Sequence, residues 1–498
     1  MRFVFGGSFA LSAAFLTLTP VVGAAEPPPP TATVPLEAAP APGTPAVVSP
    51  PAEVAPEAAP APLAPAPQPE PAPNLPPPAL EPAPEPIAEA PLPPEPEDEP
   101  DSWYDGFKFV AFADAYLNYD FNFPKAPDQA RSNPLRAYDT RQGFGIAWAG
   151  LDIAKDAEPV GGQISLRFGP TADRIARSCV DGTNCDSAIG LSWLKQAYAT
   201  FRPGGKEGPF SVDLGKFDTP YGAEVAEAQY NLNYTRGALY WLGQPLFHTG
   251  LRVNIDPVRQ LNIKLLAVNG WNRSVDNNTG KTFGLQGTFR LPKTEEPDQD
   301  LLTVAAGYMF GPEHGDTATV VCPAGQSFDP TTLTGCRADA ASQGNSGVID
   351  RGASNTKGMR HFVDLTVTAN PVQPLKLLFN ASLGIDNDRD PQRPGNFVSS
   401  SWFGLMLAGR YAVHEQVGLA GRFEYYADPD GYTSGFAGND VSIVTGTLTA
   451  DYSPASSVKF FLDGRLDWAN RKIFPKGVRD PNIGTAVSTT VGAVFTTN

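Results

Sequence analysis

Four cysteines and four histidines are the first side chains to weigh for chemistry in this 498-residue chain. The histidines are scattered and lack metal-ligand spacing with the cysteines. His248 and His361 are the two that fall in extended runs, and neither stands beside a Gly-x-Ser-x-Gly nucleophile signature. No catalytic residue, metal or cofactor is therefore expected. Cys179 and Cys185 share one irregular stretch, and Cys322 and Cys336 share another. Pairing within each stretch is the simple reading and would staple a loop, but spacing leaves cross-pairing open.

The remaining chemistry lies in charges at alternate positions. Arg167, Arg202, Arg252, Lys264, Arg290, Arg360, Lys376, Arg410, Arg422, Lys459 and Arg465 fall on one parity, opposite apolar neighbours. Asp114, Asp213, Asp364, Glu424, Asp463 and Asp467 share that parity. Within Val458–Trp468, for example, Phe460, Leu462, Leu466 and Trp468 oppose Lys459, Asp463, Arg465 and Asp467. Such a face is wet, leans basic and suits conduction of small ions or solutes with a mild anion preference. The charges on that last strand read as a ladder of ion pairs. A second group, Asp218, Glu224, Glu227 and Arg236, lies in the irregular stretch 217–245 with several aromatics. If that stretch folds inward it narrows the bore; if not, it caps the outside.

The elements that must present these side chains repeat with period two. About sixteen runs alternate: near 106–119, 142–153, 161–169, 192–202, 209–216, 246–255, 261–270, 282–290, 300–310, 359–370, 374–386, 400–411, 416–426, 441–453, 457–469 and 484–495. Alternation over roughly 9–11 residues suits a tilted membrane strand. The run at 142–153 changes its apolar face midway. Connections alternate too, short turns with long loops, as in barrels that cross an outer membrane. Hydrocarbon offers no hydrogen-bond partner, so strands within it must pair completely and close on themselves. The predicted fold is all-β: a transmembrane antiparallel up-and-down barrel of about sixteen strands. Trp103, Tyr104, Phe201, Tyr411, Tyr452 and Trp468 stand near run ends, where aromatic girdles form.

The barrel is expected at 102–498. Residues 1–25 read as a secretory signal: one basic residue, an apolar core, then Gly23-Ala24-Ala25. Residues 26–101 hold more than half of the 53 prolines, many acidic residues and no Lys or Arg. A disordered, polyproline-like tether fits that composition, reaching ~3.1 Å per residue. It accounts for most of the formal charge of -16. The rest is nearly balanced, and charged residues make up only 18% of the chain, against about 25% in soluble domains. With no basic surplus to neutralise phosphates, a nucleic-acid partner is excluded.

Gly215–Glu224 reads GKFDTPYGAE, preceded by Gln196-Ala197-Tyr198 and followed by Asn233-Tyr234-Thr235-Arg236 and Pro245-Leu246-Phe247-His248-Thr249-Gly250. This series resembles the OmpL-like family of outer-membrane β-barrel porins, best from about 103 to 290. The proline-rich tether departs from a minimal porin. The resemblance implies a bacterial outer-membrane pore for passive diffusion of small hydrophilic solutes, with the bilayer as partner and the tether in the periplasm. The alternative is a structural anchor whose tether contacts the periplasm or cell wall. Homo-oligomerisation and peptidoglycan contact through the tether stay open.

Overall fold

The computed structural model describes residues 106–124, 133–136, 142–179, 185–294, 299–329, 336–350, 358–389, 397–477 and 482–497. The signal and tether expected at 1–101 lie outside the described residues, as do Trp103 and Tyr104.

Sixteen antiparallel strands close into one barrel. They are β1 (Phe107–Asp120), β2 (Gly143–Lys155), β3 (Val160–Phe168), β4 (Leu194–Phe201), β5 (Phe210–Asp218), β6 (Phe247–Val258), β7 (Leu261–Val268) and β8 (Thr282–Pro292). The circuit continues with β9 (Asp300–Pro312), β10 (Met359–Val372), β11 (Leu375–Arg389), β12 (Phe397–His414), β13 (Val417–Asp428), β14 (Val441–Ala455), β15 (Val458–Ala469) and β16 (Thr485–Thr496). Each run expected from alternation is a strand. β1 closes on β16, from Phe112 opposite Thr496 to Asp120 opposite Ser488. Each strand of the barrel therefore has two neighbours, which removes the open edges that a membrane could not solvate.

Exposure follows the same period. Along β14, Ile443, Thr445, Thr447 and Thr449 are buried inside, while Leu448 is 75% exposed on the outside. Phe201, Tyr411, Tyr452 and Trp468 are exposed near strand ends, as girdle residues should be. Bulges in β2 and β4 break the parity. Ala147 has no partner between Trp148, opposite Asp114, and Ile146, opposite Ala115. That extra residue is why the apolar face of β2 switches midway. Lys195 is likewise skipped between Gln196, opposite Ser165, and Leu194, opposite Leu166. A bulge re-aims a side chain, and here it gives a lysine that strict alternation would send outward an inward course.

The barrel ends differ. One carries short turns such as 259–260, 373–374 and 415–416, plus the start of β1 and the end of β16. The other carries the long connections. Helix α1 (Pro170–Ala176) lies in one of these, where Cys179 pairs with Cys185. Cys322 pairs with Cys336 in another, beside two small hairpins: Thr317–Cys322 with Asn345–Asp350, and Gln326–Phe328 with Cys336–Ala338. Both pairings are local.

The interior is not uniformly polar, which corrects the expectation of a wet bore along its whole length. Tyr221, Leu239, Trp271, Phe362, Trp402, Met406, Tyr426 and Phe474 form one buried apolar cluster. Phe362, Trp402 and Tyr426 come from strands, while Tyr221, Leu239, Trp271 and Phe474 come from long connections that turn inward. Burying one such aromatic is worth roughly 1.5–3 kcal/mol. Alternation within strands could not say that connections would fill the space between them.

Leu448→Arg should therefore lower stability by about 2–4 kcal/mol, since the residue stands mid-strand on the outer face. Denaturant unfolding from lipid vesicles measures this. An arginine tolerated without loss would mean that this wall does not meet hydrocarbon.

Candidate functional site: the segment that crosses the barrel

The chain leaving β5 does not cap the outside; residues 219–246 run through the interior. Thr219 meets the buried His248, Oγ1 to Nε2 at 3.1 Å. Tyr221 Oη donates to the Tyr308 carbonyl on β9 at 3.2 Å. The Gly222 N–H donates to Asp364 on β10 at 2.8 Å. Gly222 has φ 86°, and a Cβ there would collide with the Gln244 side chain. Glycine suits both constraints. The segment then reaches the wall opposite β5. Arg422 on β13 pairs with Glu224 at 2.5 Å, and the Gly237 N–H donates to the same carboxylate at 2.8 Å. A Cβ at Gly237 would strike Glu424, which accepts the N–H groups of Ala238 and Leu239 at 3.3 Å.

Asp463 on β15 is the strongest anchor. It accepts the Thr235 N–H at 2.8 Å, the Thr235 hydroxyl at 2.9 Å and the Tyr234 N–H at 3.3 Å. The expected ladder on this strand is thus only partial: Arg465 pairs with Asp467 at 2.9 Å, while Asp463 is taken by the segment. The reason is unpaired backbone. An irregular segment brought inside a barrel exposes N–H groups that need acceptors, and buried wall carboxylates supply them. Hydrogen bonds to a charged group are worth about 1.5–3 kcal/mol each.

Glu227 turns back to the near wall. It pairs with Arg167 of β3 and with the bulge residue Lys195, both at 2.8 Å. Burial would raise its carboxyl pKa, but Lys195 and Arg167 outweigh burial and hold it down to about 2. Arg236 bonds its own segment, at the Tyr234 carbonyl (2.7 Å) and the Ala226 carbonyl. Asp218 is the last residue of β5 rather than part of the loop, and it pairs with Lys195 at 2.5 Å. The acidic groups of 217–245 therefore touch their cationic partners. They do not stand across a gap from them.

The parity-selected cations divide by depth. Arg360, Arg422 and Arg465 are buried in the long-loop half with partners; Arg360 holds Asp386 at 2.8 Å among Trp271, Trp402 and Tyr432. Arg167 also binds Asp152 at 2.9 Å, and Arg252 binds Asp213 at 2.8 Å. Towards the short turns the face opens. Arg410 pairs with Asp451 at 2.7 Å, and Arg290 stands 3.9 Å from Asp300. Lys376 is exposed, and Lys264, Lys376 and Lys459 have no ion-pair partner among the described residues. Arg202 departs from the sequence reading. It lies one residue past β4 and donates to the Lys206 and Gly208 carbonyls of a short turn, because the strand ends before reaching it.

Alternation could not place two interior groups. Lys195 is displaced by its bulge. Arg136, from a long connection, reaches in to donate to Ser488 and Thr490 at 2.8 Å. His361 lies on the outer face, joined to Tyr308 Oη at 2.7 Å. Among the described residues no three His, Cys, Asp or Glu side chains group as a metal site requires.

A family model described as "Putative beta-barrel porin-2, OmpL-like" matches residues 106–496. No curated protein matches the chain. Among solved structures, the chain is similar to the outer-membrane OmpT of Vibrio cholerae, with 13% identity over 78% of this chain and 97% of that one and a TM-score of 0.45. It is also similar to the outer-membrane channel DcaP of Acinetobacter baumannii, with 11% identity, coverages of 78% and 97%, and a TM-score of 0.45. An anion-selective porin from Comamonas acidovorans gives 11% identity, coverages of 78% and 99%, and a TM-score of 0.45.

Two outcomes test how the segment is held. Asp463→Ala strands the Tyr234 and Thr235 N–H groups, so hydrogen exchange across 219–246 should accelerate by roughly a hundredfold, about 2–3 kcal/mol, while strand amides keep their protection. Unchanged protection would show that Asp463 is not an anchor. The Glu227 pKa is lowered from the usual 4.5, so its contribution is complete above that value and fades as pH falls towards 2. Glu227→Gln at pH 7 should loosen the segment as strong acid does in the native protein; equal exchange in variant and native protein at pH 7 would refute the pairing.

Proposed function

The chain belongs to the OmpL-like β-barrel porin family, and on that premise we propose that it is an outer-membrane channel for passive diffusion of small hydrophilic solutes or ions. The observation that carries this reading is residues 219–246 crossing the barrel with contacts on near and far walls. A segment so placed narrows the bore to a constriction, and a barrel of this strand number is wide enough to need one. The reading is a channel and not an enzyme.

The charge layout supports a mild anion preference. In the long-loop half, Arg167, Arg360, Arg422 and Arg465 are each matched by carboxylates. In the short-turn half, Lys264, Lys376 and Lys459 face inward without such partners among the described residues. An approaching anion meets there three lysines that no ion pair neutralises among the described residues. In this reading the short turns face the periplasm, and the 26–101 segment belongs to the periplasm as well.

Planar-bilayer recording tests the proposal. Discrete conductance steps are expected, with a reversal potential on the anion-selective side in a salt gradient. Lys376→Glu combined with Lys459→Glu should move that potential towards cation selectivity. A folded barrel that passes no current would overturn the channel reading, and a double variant with unaltered selectivity would overturn the charge argument.

A further inference from the structure

Pairing between β4 and β5 stops at Ala197 opposite Lys216, although β4 begins at Leu194 and β5 runs on to Asp218. Where the strands part, a cavity of about 190 Å³ lies between the wall, α1 and the crossing segment. Its apolar lining includes Trp148, Ile175, Tyr240, Leu246 and Phe247. Gln244 lines it as well. That side chain is 2% exposed, and neither its Nε2 nor its Oε1 has a hydrogen-bond partner in the structure. Leaving a buried amide unmatched is costly, so such a group in a built cavity points to something that completes it.

The cavity's charges are already spoken for. Lys195 binds Asp218 and Glu227, and Arg167 binds Asp152 and Glu227. Lys216 binds Asp186 and the Leu194 carbonyl. A charged solute would find no free counter-ion and would have to break a pair. The buried Gln244 amide offers a donor and an acceptor side by side, among aromatic and aliphatic walls. An apolar cavity of about 150 Å³ accommodates benzene, so this one accommodates a single ring with a small substituent.

Building on the channel reading, we infer that this cavity is a solute-binding site for a small uncharged ring compound bearing a primary amide or cyclic imide, held edge to edge by Gln244. The two hydrogen bonds an amide edge exchanges with Gln244 match its donor and acceptor together, which a hydroxyl or an ether cannot do as well. The ring fills the apolar space between Trp148 and Phe247.

Isothermal titration of the full-length protein in detergent, with benzamide, benzoate and acetamide as probes, tests the site. Benzamide should bind at least tenfold more tightly than either of the others and should reduce single-channel current. Gln244→Leu should weaken benzamide by on the order of tenfold while the heat-modifiable gel shift stays as in the native protein. Ala176→Phe fills the cavity from α1 and should abolish binding; it serves if the first variant does not fold. Benzoate binding as tightly as benzamide, benzamide binding that survives both substitutions, or no benzamide binding at all would overturn the site. The last result beside normal current leaves the channel reading standing, with water alone completing Gln244. Benzamide binding by a barrel that passes no current would instead remove the channel reading and keep the site.

Discussion

Hydrocarbon cannot accept or donate a hydrogen bond, and the architecture answers that constraint. Backbone groups along the strands are satisfied only if each strand has two neighbours, so the sheet must return to its beginning. The β1–β16 register does this over a continuous stretch from Phe112 to Asp120. Once the cylinder is closed, alternation has two environments to serve. Leu448, Leu462 and Leu466 can face outward only because Thr449, Asp463 and Arg465 face inward. Neither set would be stable with the other's surroundings.

The same constraint reappears inside. Bringing residues 219–246 into the barrel takes irregular backbone away from water, and its N–H groups then need partners. Asp364, Glu424 and Asp463 meet Gly222, Leu239 and Thr235. These wall carboxylates act chiefly as acceptors for the crossing chain. The arginines nearby, Arg422 beside Glu424 and Arg465 beside Asp467, reach segment carbonyls at Thr235 and Arg236. Burial of these ions is tolerable because hydrogen bonds meet them, Asp364 from Gly222, Asn380 and Ser382, and arginine pairs meet others, such as Glu224 and Asp467. The apolar cluster around Trp402 and Phe362 then fills what the polar network leaves.

The residues that carry the family resemblance are the ones that steer this segment. Phe217, Tyr221 and His248 are fully or almost fully buried, and Gly222 occupies a turn closed to other residues. The Asn233–Arg236 stretch lies on Asp463 and Thr449. The motif is thus a set of instructions for entering the barrel and docking on its far wall, while the surrounding strands need only keep their alternation.

Sixteen strands and the two faces each presents were legible from the sequence, because period two is a local property that each strand declares for itself. The switch of face in the second strand was visible too, although only the register identified Ala147 as its cause. Nothing local marked Lys195 as an interior residue, since its direction depends on a bulge defined by the neighbouring strand. The inward course of 219–246, the partners of Glu224 and Glu227, and the apolar cluster belong to tertiary structure alone. They join residues far apart in the chain, such as Thr235 and Asp463, and no periodicity records a contact of that kind. The sequence determined a closed wall with two faces; packing across the interior decided what fills it.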